Sequence, residues 1–160
     1  MILCLKILYV FIVKTKPHIT LKTFHLLKAC QTLKIPENVP TLIVLDDLMD
    51  TAYSTKVSEL FTRGSHHRNI SVILITQNVF RKGPSSRDVS SNSKYIIVFK
   101  NRRDKTQIVH LARQVYPESI PSFHKTYLEV CKDPHTYLFL DLTQSINDLL
   151  RFRTFSGRNS

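Results

Sequence analysis

Residues 41–50 read TLIVLDDLMD. Leu42, Ile43, Val44 and Leu45 form a continuous apolar run, and Asp46 and Asp47 end it. A short apolar run without polar alternation fits a strand buried on both faces, as in a parallel sheet covered by helices. Open sheets of that kind bind ligands beyond the carboxyl ends of their strands, which is where these two carboxylates fall. A strand ending in Asp-Asp suits a nucleotide-hydrolysing site. The first carboxylate can hold Mg2+, and the second can orient or deprotonate the attacking water. The plainer reading of the same pair is a polar strand end or a helix N-cap.

Four similar runs flank this one: ILYVFIV (7–13), ISVILIT (70–76), YIIVF (95–99) and YLFL (137–140). The segments between them have helical spacing. In 20–34 the sets Leu21, Phe24, Leu27 and Leu26, Cys30, Leu33 each share a face. Residues 54–63 place Val57, Leu60 and Phe61 together, with Ser54 as N-cap and Gly64 as stop. A third helix is predicted over 104–115 from an Asp104 cap, and a fourth over 121–131 with Pro121 near its start. The polar stretch 78–94, with Gly83-Pro84, reads as a loop with room for a short helix. The alternation predicts an α/β domain of three layers around a mostly parallel sheet.

The chain has 160 residues, enough for one domain with its own core. Its 23 Lys+Arg against 12 Asp+Glu leave a net charge of +11, which favours an anionic partner: nucleic acid, a nucleotide or an acidic membrane surface. Cys4, Cys30 and Cys131 are far apart and form no CxxC pair, so neither a zinc site nor a disulfide framework is indicated. Reduced thiols in an intracellular protein, nuclear or cytoplasmic, are the expectation. The apolar start, MILCLKILYVFIV, is shorter than the ~20 residues that span a bilayer, and no small-x-small cleavage site follows it. It reads as a buried strand, with a secretory or anchoring segment as the alternative.

Three other places carry chemistry. Gln77 follows the run 70–76 and offers both a donor and an acceptor where a γ-phosphate or its water would lie. The stretch TRGSHHRN (62–69) holds Arg63 and Arg68, either of which can act on a neighbouring subunit's phosphate or simply close a helix. His66 and His67 are adjacent and make a poor metal pair. After the run 95–99 comes KNRRDK, where Lys100, Arg102, Arg103 and Lys105 suit a phosphate backbone or a solvated loop.

The order of LIVLDDLMD, ELFTRGSHHRNISVILITQNVF, SRDVSSNSKYIIVFKNRRDKTQIVHLARQVYP, YLFLDL and LRFRT resembles the C-terminal half of viral DNA-packaging ATPases of the FtsK/HerA superfamily. The versions in Maverick/Polinton elements and adintoviruses look nearest, with the poxvirus packaging ATPase more distant. The resemblance covers roughly residues 40–155. It implies a RecA-like domain that forms a homo-oligomeric ring, binds ATP and Mg2+, and drives double-stranded DNA into a capsid. By that resemblance Asp46 would be the Walker B magnesium ligand and Asp47 the catalytic carboxylate. Gln77 would be the polar sensor, and Arg63 or Arg68 the inter-subunit arginine finger.

The departure is the phosphate loop. The family carries Gly-x-x-x-x-Gly-Lys-[Ser/Thr] upstream of Walker B, and here no glycine precedes Gly64. A phosphate cradle needs glycines, because its amides converge through backbone angles that a Cβ forbids. The expected organisation is an uncertain segment over 1–35, strand plus helix, followed by a partial ATPase domain over 36–160. The expected function is that of a truncated or degenerate packaging ATPase, viral or transposon-derived, with weak hydrolysis at most. The alternative is a non-catalytic basic module that binds DNA or joins an assembly.

Overall fold

A computed structural model describes residues 9–13, 23–27, 39–46, 55–64, 70–78, 84–101, 104–133 and 136–155. Its strands are β1 (Tyr9–Val13), β2 (Thr23–Leu27), β3 (Thr41–Asp46), β4 (Ile70–Thr76), β5 (Tyr95–Phe99), β6 (Tyr137–Asp141) and β7 (Phe152–Phe155). Its helices are α1 (Thr55–Glu59), α2 (Pro84–Asn92), α3 (Thr106–Val115) and α4 (Ile120–Val130). A π-helical turn, Leu60–Gly64, continues α1. Short 3-10 turns lie at Pro117–Ser119 and Asp148–Leu150.

The strands form one sheet in the order β2-β3-β4-β1-β5-β6-β7. Pairings β2–β3 and β3–β4 are parallel. All four pairings from β4 to β7 are antiparallel. The mixed α/β class agrees with the sequence, but a mostly parallel sheet holds for only one end of it. A continuous apolar run reports that a strand is central and covered, not which way its neighbours point.

The five apolar runs all become strands. The segment 20–34, expected as a helix, instead contributes β2. Its apolar spacing serves a helix, but pairing along β3, from Thr23 beside Thr41 to Leu27 beside Leu45, outweighs so weak a preference. The loop 78–94 contains α2. β7 was not foreseen, because FRTF is short and half polar.

Alternation along the strands fixes the core. Ile43 and Leu45 stand beside Val72 and Leu74, and Ile96 and Val98 beside Leu140 and Leu138. Leu74 and Ile96 both oppose Phe11 of β1, so the two halves bury the same face. Val57 and Phe61, Val89, Ile108 and Leu111, and Phe123 of the helices join these strand residues in one buried cluster. The helices expected on both faces are therefore met on one, among the described residues. Leu42, Val44, Ile73, Ile75 and Ile97 on the other face are partly exposed.

Small polar contacts hold the helical layer in register. Ser58 of α1 donates to Asp88 of α2 at 2.9 Å. The Arg151 guanidinium reaches the Val115 carbonyl at the end of α3 at 3.1 Å. Phe152 meets Phe123 and Tyr116 edge-on, each at 5.5 Å, and so ties β7 to the ends of α3 and α4.

The two faces differ in what a truncation costs. Leu74→Ala, on the buried side, is expected to destabilise the fold by about 2–5 kcal/mol. Ile75→Ala, one residue on and facing the other way, should cost less than half as much. Chemical denaturation of the two variants measures the difference, and equal losses would mean that both faces are equally packed.

Candidate functional site

Direction and register bring several of the expected residues to one edge. Asp46 ends β3 beside Ile75 of β4, and Gln77 lies two residues beyond Ile75. Both side chains are partly exposed. A turn at the end of β4 holds Gln77 at its tip: the Thr76 hydroxyl accepts the Asn78 N–H and meets the Asn78 carbonyl, both at 3.3 Å. β5 ends at the same edge, since Thr76 and Val98 both stand opposite Tyr9. Lys100 therefore leaves the sheet on the side of Asp46 and Gln77, three strand positions and about 14 Å from β3.

The exit of β5 is tightly built. The Tyr127 hydroxyl of α4 donates to the Phe99 carbonyl at 3.2 Å and accepts the Asn101 N–H at 2.8 Å. Burial raises the Tyr127 pKa, so the phenol stays neutral and keeps its proton for Phe99. Lys100 Nζ donates to the Lys132 carbonyl at 2.8 Å, a cation at the carbonyl end of α4 where the helix dipole favours it. Only part of its three-donor capacity is used, and the side chain is exposed. Lys105 and Lys132 are exposed around it. Cys131 lies beneath this corner, where burial raises its pKa to about 11 and leaves an unreactive neutral thiol.

Asp104 starts α3, as the sequence predicts. Its carboxylate accepts the Thr106 N–H at 3.0 Å, the Thr106 hydroxyl, and the Gln107 amide at 2.9 Å. The Asn101 side-chain oxygen accepts the Asp104 N–H at 3.1 Å and closes the loop onto the strand.

The remaining expected residues are not gathered here. Arg63 sits in the π-helical turn Leu60–Gly64, and its side chain lies outside what is described. Asp47, Arg68, Arg102 and Arg103 lie outside the described residues. Sequence reasoning missed Tyr127, whose position in a helix face looks like that of any core aromatic.

A nucleotide with Mg2+ fits this edge only in part. Asp46 and Gln77 offer a carboxylate and an amide. Among the described residues, no three His, Cys, Asp or Glu side chains gather as a metal site. The strand next to β4 on the far side from β3 is β1, which runs antiparallel. Tyr9, the first residue of β1, stands at this edge opposite Thr76. No amide cradle for phosphates is formed by the described residues.

No family model, characterised protein or solved structure matches this chain. Among the described residues no helix is long and apolar enough to cross a membrane.

The Asp104 cap is open to a direct test. Its side-chain hydrogen bonds to Thr106 and Gln107 hold the carboxyl below its usual range. A lowered pKa means the stabilisation is present above the unfolded-state value, near 4, and is lost as pH falls through the folded value. Asp104→Ala is expected to cost about 1 kcal/mol at pH 7. Denaturant titrations should show the gap between variant and parent closing as the pH is lowered below ~4. A gap that is constant with pH would remove the charge from the explanation.

Proposed function

We propose that this chain derives from a ring-forming, ATP-driven translocase of double-stranded DNA of the FtsK/HerA type, and that by itself it hydrolyses ATP slowly or not at all. The observation that supports the reading is that Asp46 and Gln77 both stand at the carboxyl ends of two neighbouring parallel strands, Gln77 two residues beyond the Ile75 that pairs with Asp46. The order of motifs along the sequence supports it independently. A RecA-like core is the architecture it requires, and the parallel set β2–β3–β4 with α1 between β3 and β4 is in keeping with that.

In this reading Asp46 holds Mg2+, Asp47 activates the attacking water and Gln77 senses the γ-phosphate. Arg63 or Arg68 acts across a subunit boundary as the arginine finger. What weakens catalysis is the phosphate half of the site. With the carboxylates present but no glycine cradle in this sequence, the phosphates are not positioned for in-line attack.

Phosphate release from Mg-ATP by the purified chain, with and without duplex DNA, is the test. No release above background is expected. Robust Mg2+-dependent turnover that Asp47→Asn abolishes would overturn the claim of inactivity.

A second reading, a non-catalytic basic module that binds DNA or joins an assembly, is favoured by the cations at the β5 exit. If Lys100, Arg102, Arg103 and Lys105 each meet a phosphate, raising the salt fourfold should weaken duplex binding by about a hundredfold. Titrations at about 50 and 200 mM salt measure this, and a change below about threefold would exclude such contacts.

A further inference from the structure

The part of the sheet made by β5, β6 and β7 carries a second surface feature. Ile96, Val98, Leu138 and Leu140 face the core, so alternation sets Tyr95, Phe99, Tyr137 and Phe139 on the opposite face, where all four are partly exposed. The rings meet in pairs. Tyr95 and Phe139 stack with centroids 5.7 Å apart and planes at 30°, and Phe99 and Tyr137 lie at 5.5 Å and 52°. The Arg153 guanidinium stands 5.9 Å from the Phe139 ring centre, and its side chain is half exposed. The result is an aromatic strip about 14 Å long with the Arg153 cation beside it.

We propose that this strip binds single-stranded nucleic acid, with bases stacking on the rings and a phosphate meeting Arg153. Every base has a π-face, so stacking on aromatic side chains needs no particular sequence. In a duplex the bases are stacked on one another and do not reach a protein ring. Arg153 donates from Nη2 to Asp141 at 3.3 Å and from Nε to the Leu150 carbonyl at 3.1 Å, and a guanidinium has five N–H donors, so a phosphate can share it. The net charge of +11 draws a polyanion, whereas an apolar protein partner would cover the half-exposed Arg153. The strip is separate from the Asp46–Gln77 pair and does not depend on the ATPase reading.

The test compares a labelled oligo(dT) of about 15 nucleotides with a duplex of equal length by fluorescence anisotropy on the full chain, at about 0.15 M salt. The oligo(dT) is expected to bind at least about fivefold more tightly than the duplex. Phe139→Leu keeps the apolar bulk but removes a π-face. It should weaken oligo(dT) binding by about fivefold or more and leave duplex binding within about twofold. Arg113→Ala removes an exposed charge on α3 and should change both by less than about twofold. The chain has six tyrosines and no tryptophan, so the unmodified protein gives a second readout: its tyrosine fluorescence should fall on saturation with oligo(dT). Equal affinity for both ligands, equal loss of both in Phe139→Leu, or unquenched tyrosine would each overturn the proposal. Duplex binding that survives any of these results leaves the translocase reading untouched.

Discussion

β4 and β5 point the same way but do not touch. Each pairs antiparallel with β1, which lies between them and hydrogen-bonds along most of its length to both. That single strand is what makes one sheet out of two groups, the parallel β2–β3–β4 and the antiparallel β5–β6–β7. Without it, two rows of main-chain donors and acceptors in the middle of the molecule would be left to water. Backbone groups in a sheet interior need partners, and β1 supplies them for both neighbours. The helical layer then follows, since Leu74 and Ile96 come onto one face only because each stands opposite Phe11.

The same strand shapes the edge where Asp46, Gln77 and Lys100 gather. Because it runs against its neighbours, Tyr9, rather than Val13, stands at that edge, opposite Thr76 and Val98. The carboxylate and amide at this edge are set by β3 and β4.

Burial was legible in the sequence, and direction was not. The runs at 42–45, 70–76, 95–99 and 137–140 are apolar enough that no other placement satisfies them, and each is a strand in the structure. Gly64 closes the first helix and Asp104 starts α3 because glycine and a capping carboxylate act locally. β2 was hidden because Leu21, Phe24 and Leu27 satisfy a helical period as well as a strand, and only the presence of β3 decides between them. The aromatic strip was written in YIIVF and YLFL, where the rings fall at alternate positions or ends of the runs. Reading those runs as uniformly buried obscured it. Asp46 and Gln77 were named from their strand ends, and the parallel pairing of β3 and β4 brings both ends to one edge.

The position of β1 also has a temporal side. Its partners are residues 72–76 and 95–98, far along the chain, so during synthesis it leaves the ribosome well before either exists. Long-range pairings close large loops and form late, which makes the joining of the two strand groups the slow step of folding. Until then ILYVFIV is an apolar, β-prone segment with no place to go, the kind of sequence that self-associates when exposed. The strand that completes the sheet is for that interval an aggregation hazard, and a chaperone that shelters nascent apolar segments would have ILYVFIV as a target.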